Sequence, residues 1–282
     1  MEPLREAIKK AREQREQAAG SAPPATSPRT APPHIAPQSQ SAVDSNWSAL
    51  RSFEPDPRHL EKMRIVSYLQ EDSAAMYYSQ MRTRVLSMMK ERGWKRVAIT
   101  SPTEGCGKTV TTLNLAFSLA RQSDLRTAVL DFDMHRPAIQ NYLELPEKYS
   151  MGGFLSGKRT VEESFTRIGE NLVIGPSGRE AKNTSEILHN HDSRDALDTM
   201  DALLEPDITL IDTAPMLLTD DMMAMAPLVD CVLLVVGAGI STTHEVDICE
   251  RDLAEKTNVL GVILNKCRYM PEGYGRAYEG YY

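Results

Sequence analysis

Runs of apolar, β-branched residues alternate with helical patterns from residue 96 to the carboxyl end of the chain. The runs are nearly continuous rather than alternating with polar residues, which is typical of strands buried on both faces of a sheet. They span 96–100, 127–132, 172–174, 208–212, 232–236 and 259–264. Because helical patterns separate them, the strands are predicted to run parallel. The expected fold class is α/β, a doubly wound, mostly parallel sheet with helices on both faces.

The first third of the chain has a different pattern. Residues 1–19 contain strong helix formers with a thin apolar stripe, which predicts a short charged helix; docking to a partner is one interpretation. Residues 20–57 are rich in Ser, Pro and Ala and predict a disordered linker. Residues 58–90 return to a helical pattern that Gly93 ends. The main domain is therefore expected at 58–268.

A glycine-bearing loop, Ser-Pro-Thr-Glu-Gly-Cys-Gly-Lys-Thr at 101–109, follows the first of these strands and precedes an apolar helix. The order strand, loop, helix is that of a phosphate-binding loop. Backbone N–H groups at the glycines and the helix amino terminus attract phosphate, Lys108 supplies a cation, and Thr109 supplies a hydroxyl for Mg²⁺. The predicted nucleotide-binding residues of the loop are Thr103, Glu104, Gly105, Cys106, Gly107, Lys108, Thr109 and Val110.

Pro102 stands where the usual motif has its first glycine, so the loop needs support from other residues. Asp131 and Asp133 end one predicted strand and Asp212 ends another, and the carboxyl ends of parallel strands meet at one edge of a sheet. Each Asp alone has the alternative of capping a helix. Together with the loop they predict phosphoryl transfer, with catalytic residues Lys108, Asp131, Asp133 and Asp212 and metal ligands Thr109, Asp131 and Asp212.

Residues 264–268 indicate which nucleotide base the site binds. Asn265 and Lys266 resemble the start of a guanine-reading N-K-x-D element, but Arg268 occupies the place of its acid. An arginine cannot accept hydrogen bonds from guanine. ATP is therefore favoured over GTP, with Asn265 either contacting the adenine edge or merely ending its strand.

Charge and composition narrow the functional classes. The formal net charge of −7 argues against nucleic acid as a partner. The longest apolar stretch, 231–240, is about half the length that a membrane-spanning helix requires. The four cysteines are far apart and resemble reduced cytosolic thiols. A cytoplasmic protein is expected, with any link to the membrane made through a partner.

Taken together, these motifs resemble the bacterial tyrosine kinase family that governs capsule and exopolysaccharide export, a branch of the deviant-Walker ATPases that include MinD and ParA. The resemblance runs from about Tyr77 to the carboxyl end and implies a P-loop kinase domain that uses ATP and Mg²⁺. It implies the roles of Walker A residues for Lys108 and Thr109, of Walker A′ acids for Asp131 and Asp133, and of the Walker B acid for Asp212.

Three positions depart from related patterns. Thr103 stands where MinD and ParA carry an extra lysine that reaches across their dimer, which favours the kinase branch. His135 stands where the kinase family usually has arginine. Of the family's ring-forming E-x-x-R-x-x-R motif, which would fall at Met76, Ser79 and Arg82, only the last member is present.

Five of the ten tyrosines lie in the last fourteen residues, a glycine-containing stretch expected to be flexible. The resemblance implies autophosphorylation of Tyr269, Tyr274, Tyr278, Tyr281 and Tyr282; a tail that packs on a neighbour is the alternative. It further implies self-association through tail docking, a transmembrane polysaccharide co-polymerase or adaptor as activator, and a phosphatase acting on the tail. The predicted function is a protein-tyrosine autokinase, and the alternative is a nucleotide-switched ATPase scaffold without phosphotransfer to protein.

Overall fold

A computed structural model describes residues 39–68, 74–146, 148–178 and 183–267. The predicted charged helix at 1–19, the linker residues 20–38 and the tyrosines of the 269–282 tail lie outside these ranges. None of the described helices is both long and apolar enough to cross a membrane.

The centre of the fold is an eight-stranded sheet in the order β1-β4-β5-β3-β6-β2-β7-β8. Neighbouring strands are parallel except for the antiparallel pair β4 and β5. The strands are β1 (Arg51–Ser52), β2 (Arg96–Thr100), β3 (Thr127–Asp131), β4 (Thr166–Ile168), β5 (Leu172–Gly175), β6 (Ile208–Asp212), β7 (Cys231–Gly237) and β8 (Asn258–Asn265).

Helices connect most of the strands and cover both faces of the sheet. They are α1 (Gln40–Ala49), α2 (Pro57–Lys62), α3 (Ala74–Arg92), α4 (Lys108–Ala120), α5 (Ile139–Leu143), α6 (Met151–Leu155), α7 (Val161–Ser164), α8 (Thr184–His189), α9 (His191–Leu204), α10 (Asp221–Met225) and α11 (Thr243–Ala254), with a 3₁₀ turn at Ala226–Leu228. The predicted doubly wound, mostly parallel α/β fold is confirmed.

Successive residues of the central strands enter two separate hydrophobic cores. Leu130 and Ile211 belong to the core under α9, whereas Val129 and Leu210 belong to the core under α4. Side chains alternate between the two faces of a strand, so a strand buried on both sides must be apolar at every position. This requirement explains the continuous apolar runs in the sequence, and all six predicted strands are present.

The strands β1 and β4 were not predicted. They are two and three residues long and contain the polar residues Arg51, Ser52, Thr166 and Arg167, so they give no apolar run. They belong to the sheet because they pair with neighbouring strands: β1 pairs with β4, and β4 pairs with β5.

The prediction of a disordered linker is wrong for residues 40–57. Helix α1 buries Val43 and Trp47 in the core beside α9, and the Trp47 indole N–H donates to Leu204 O at 2.7 Å. Asp56 then caps α2 by accepting a hydrogen bond from the Arg58 N–H. Burial of two large apolar side chains against the core is enough to order this polar stretch. A prediction from average composition does not detect two such residues.

The single helix predicted at 58–90 is also incorrect, because the structure has two helices, α2 and α3. Arg64 adopts a left-handed backbone conformation, with φ of 63°, directly after α2. Continued α-helix requires negative φ, so the first helix ends there. In the second helix, Val85 and Met89 are buried.

The sheet order brings the carboxyl ends of β2, β6 and β3 together. Strand β6 lies between the other two, with Asp212 paired in register with Ile99 of β2 and with Asp131 of β3. Three segments that are far apart in sequence therefore meet at one edge of the sheet.

Candidate active site

The loop between β2 and α4 lies at the sheet edge and contains two glycines with positive φ. Gly105 and Gly107 have φ of 76° and 90°, conformations that other residues adopt at a cost. Gly107 is the residue that precedes α4, and a Cβ atom there would lie 2.3 Å from Asn265 Nδ2. The N–H groups of the first turn of α4 are thus presented beside the loop, as a phosphate-binding loop requires.

Asn265 supports this loop from the end of β8. Its Nδ2 atom donates to Cys106 O at 2.9 Å, and its Oδ1 atom accepts from the Lys266 N–H at 2.9 Å. The structure places Asn265 against the loop backbone, where it holds the loop to the last strand. The proposal that it reads the adenine edge remains a prediction.

Lys108 lies between two of the predicted carboxylates. Its Nζ atom is 2.6 Å from Asp133 Oδ2 and 3.8 Å from Asp212 Oδ2. The lysine side chain is 11% exposed, and the Asp133 and Asp212 side chains are 6% and 0% exposed. The ammonium group therefore sits in a largely dry cluster where charge interactions are strong.

The hydroxyl of Thr109 contacts Asp212 at the end of β6. Thr109 Oγ1 donates to Asp212 Oδ2 at 2.6 Å, and Thr112 Oγ1 donates to Asp212 Oδ1 at 3.2 Å. Thr112 was not predicted. Residues three apart on a helix share one face, so its spacing from Thr109 was the available signal.

Asp131 is held by backbone rather than by side chains. Its Oδ1 atom accepts from the Asp133 N–H, and its Oδ2 atom accepts from the N–H groups of Ala138 and Ile139, each at 3.2 Å. These bonds fold the segment after β3 around the carboxylate. Asp131 thus accepts backbone hydrogen bonds at the start of α5 and pairs in register with Asp212 at the sheet edge.

The cluster holds more negative than positive charge. Burial and the neighbouring Asp212 carboxylate raise the pKa of Asp131 well above its ordinary value, and burial also raises the pKa of Asp212. Burial alone would lower the pKa of Lys108, but the carboxylates of Asp212 and Asp133 outweigh it and raise this pKa. The three carboxylates outnumber the one ammonium group, which suits binding of a divalent cation.

The oxygen-rich donor set fits Mg²⁺. Asp212, Asp131 and the Thr109 hydroxyl would offer hard oxygen ligands of the kind that Mg²⁺ prefers. Within the described ranges, no three His, Cys, Asp or Glu side chains are arranged to hold a metal ion. This agrees with the usual coordination of Mg²⁺, which retains several waters and takes further ligands from the phosphates of its nucleotide.

The remaining predicted loop residues surround this cluster. Thr103 Oγ1 lies 3.9 Å from Cys106 Sγ, Glu104 pairs with Arg136 of the segment after β3, and Val110 is in the first turn of α4. Cys106 is buried, and its Sγ atom lies 3.3 Å from Ser241 Oγ. The contacts of Arg136 and Ser241 were not predicted, since no local pattern links them to the loop.

The described part of the chain also has a cavity of about 610 Å³ at the other end of the sheet. Phe53, Phe117, Arg121 and Arg167 are among its lining residues. It lies at the carboxyl end of α4, one helix length from the phosphate-binding loop. The chemistry of the strand tips, rather than cavity size, therefore defines the candidate site.

A glycine-bearing loop before a helix, with a lysine, a threonine and three strand-end carboxylates, defines a nucleotide-binding domain of the P-loop class. Residues 97–273 match the family model described as CobQ/CobB/MinD/ParA nucleotide binding domain. The chain belongs to this family.

Two relatives that match the chain are named as tyrosine-protein kinases, EpsB as a putative one. The tyrosine-protein kinase CpsD of Streptococcus pneumoniae is 27% identical over 206 residues, which are 72% of this chain and 88% of CpsD. EpsB of Ralstonia solanacearum is 29% identical over 218 residues, which are 75% of this chain. The chain spans only 28% of the length of EpsB.

Solved structures agree with the sequence matches. The kinase domain of the Escherichia coli tyrosine kinase ETK has a TM-score of 0.66 and 26% identity, covering 74% of this chain and 84% of that domain. A cobyrinic acid a,c-diamide synthase from Mycobacterium smegmatis, solved with an ATP analogue and magnesium, has a TM-score of 0.51 and 16% identity, covering 61% of this chain and 74% of that chain, and shares the fold. The predicted resemblance to bacterial tyrosine kinases is confirmed.

Proposed function

We propose that this protein is an ATP-dependent protein-tyrosine autokinase that regulates exopolysaccharide or capsule polymerisation and export. The observation that carries the proposal is the strand-tip cluster of Lys108, Thr109 and three carboxylates, in a chain whose relatives are named tyrosine-protein kinases. Phosphoryl transfer depends on positioning and charge neutralisation, and this cluster supplies both.

Each residue of the cluster has a proposed role. Thr109, Asp212 and Asp131 hold Mg²⁺, which neutralises phosphate charge when bound. Lys108 binds the phosphate oxygens through its ammonium group. Asp133 orients the incoming tyrosine hydroxyl and accepts its proton, because it is the most exposed carboxylate of the three and the only one outside the proposed metal ligands.

The phosphate acceptors are proposed to be Tyr269, Tyr274, Tyr278, Tyr281 and Tyr282. The tail follows β8, and Asn265 at the end of this strand contacts the phosphate-binding loop. The described part of the chain ends at Cys267, two residues after this contact with the loop. We further propose that the phosphate is transferred to the tail of another copy and that the copies associate through tail docking. A transmembrane adaptor would activate the kinase and recruit it to the inner face of the membrane, and a phosphatase would remove the phosphates from the tail.

The proposal is tested by incubating the purified full-length protein with labelled ATP and Mg²⁺ and probing for phosphotyrosine. We expect incorporation into the tail in the wild type and none in Lys108→Met. Asp131→Asn, Asp133→Asn and Asp212→Asn should each lower the rate by about two orders of magnitude or more. ATP hydrolysis without phosphotyrosine would instead support the nucleotide-switched scaffold.

Transfer between copies needs a separate mixture. The acceptor is the Lys108→Met protein, and the donor is an active protein in which the five tail tyrosines are replaced by phenylalanine. Phosphorylation of the acceptor supports transfer in trans. Phosphorylation of wild type alone, with none in the mixture, would restrict the reaction to a single chain.

A further inference from the structure

His135 connects the segment after β3 to two distant elements. Its Nε2 atom lies 2.6 Å from Thr184 Oγ1 at the first residue of α8 and 3.2 Å from Asp221 Oδ2 at the first residue of α10. The imidazole is 43% exposed, whereas the Asp221 carboxylate is 1% exposed. One partly exposed ring thus contacts a buried acid.

The hydrogen bonds determine which ring nitrogen carries the proton. The single hydroxyl hydrogen of Thr184 is donated to Asp221 Oδ1 at 2.8 Å. Thr184 Oγ1 can therefore only accept at its contact with His135, so Nε2 must be a donor. The neutral imidazole is the Nε2–H tautomer, which leaves Nδ1 without a proton.

The buried acid gives this contact its strength. Ser185 Oγ lies 3.0 Å from Asp221 Oδ1, whereas Asp221 Oδ2 makes no hydrogen bond within the described residues and lies 3.2 Å from His135 Nε2. A buried carboxylate oxygen strongly favours a nearby donor, because burial removes its water. The Nε2–H group therefore bonds Thr184 and at the same time places its positive dipole end 3.2 Å from this oxygen.

The same segment positions a proposed catalytic carboxylate. Asp133 Oδ1 accepts from the Arg136 N–H at 3.1 Å, and Asp133 Oδ2 contacts Lys108. Met134, between Asp133 and His135, is fully buried in the core. The four-residue turn 133–136 is therefore fixed at Asp133 by its own backbone, at Met134 by packing, and at His135 by Thr184 and Asp221.

We infer that His135 is a positioning residue for phosphotransfer, which anchors the turn carrying Asp133 to α8 and α10 through its Nε2–H group. This inference rests on the proposed kinase function. A small displacement of a catalytic group lowers the rate strongly while changing nucleotide binding little, because binding energy is distributed over the whole loop.

The test compares two amide substitutions in the full-length protein. A glutamine amide can reach the position of Nε2, whereas an asparagine amide is too short. His135→Asn should lower kcat for autophosphorylation by about tenfold or more with the KM for ATP changed by less than about twofold, and His135→Gln should recover most of the rate. The matched control is His191→Asn, since His191 is 80% exposed and pairs with Asp195 of its own helix.

A second measurement does not depend on activity. Nitrogen-15 NMR of labelled histidines reports the tautomer directly, and His135 should be the Nε2–H form in wild type and lose this preference in Thr184→Val. An Nδ1–H tautomer in wild type, an unchanged kcat in His135→Asn, or a His135→Gln no better than His135→Asn would overturn the inference. Inactive wild type with the Nε2–H tautomer intact would instead contradict the proposed function.

Discussion

Helix α1 is expected to contribute strongly to stability through Trp47. The side chain is 3% exposed, belongs to the core beside α9, and donates its indole N–H to Leu204 O. Replacing a buried tryptophan by alanine removes its packing and leaves a cavity, which costs about 3–5 kcal/mol. In a domain of this size, that cost corresponds to a fall in Tm of about 10 °C.

The assay is urea unfolding followed by circular dichroism for Trp47→Ala and Trp47→Phe. Phenylalanine retains most of the apolar contact but loses the hydrogen bond to Leu204, so it should cost about 1–2 kcal/mol. Trp94→Ala is the control, because Trp94 is only half-buried and lies in the other core. A loss below about 1 kcal/mol in Trp47→Ala would show that α1 does not stabilise the domain, contrary to its burial.

Two further predictions concern the site and a turn. Lys108→Met removes the cation that faces the buried carboxylates of Asp131 and Asp212, so the raised pKa values of these two acids rise further and the folded state binds more protons than the unfolded state. Stability then falls as pH rises above about 4. Its free energy of unfolding, relative to wild type, should therefore decrease from pH 4 to pH 8, and a difference independent of pH would contradict the charge argument. Gly178→Ala should lower the free energy of unfolding by more than about 3 kcal/mol, because its Cβ would lie 1.9 Å from Tyr149 O at a φ of 76°. The control is Gly169→Ala, which has a φ of 62° but open space around the added Cβ and should lose about 1 kcal/mol. Equal losses of the two variants in urea unfolding would contradict the clash.

The central sheet and its strand-end acids were predictable because each depends on local pattern. The strands β2 and β6 have the predicted bounds, since a strand buried on both faces must be apolar throughout and a polar residue marks its end. Asp212 is such a residue, and the rule that parallel strands end at one edge of a sheet predicts its position near Asp131, where the structure has it.

Contacts between distant segments could not be predicted in the same way. The burial of Trp47 against α9 depends on a surface that exists only after the sheet has formed, so the polar composition of residues 20–57 wrongly indicated disorder throughout. The contact of His135 with Thr184 and Asp221 joins residues 49 and 86 positions apart, and no local spacing encodes it.

The amino-acid sequence by itself determined which residues form the phosphate-binding loop motif and the strand-end acids, and which segments become strands, since both follow from residue type and spacing along one element. Only the tertiary structure decided how these residues are held. Lys108 between two acids, Asn265 on the loop and His135 on a buried carboxylate all follow from strand order and side-chain packing, which are properties of the whole chain rather than of any segment.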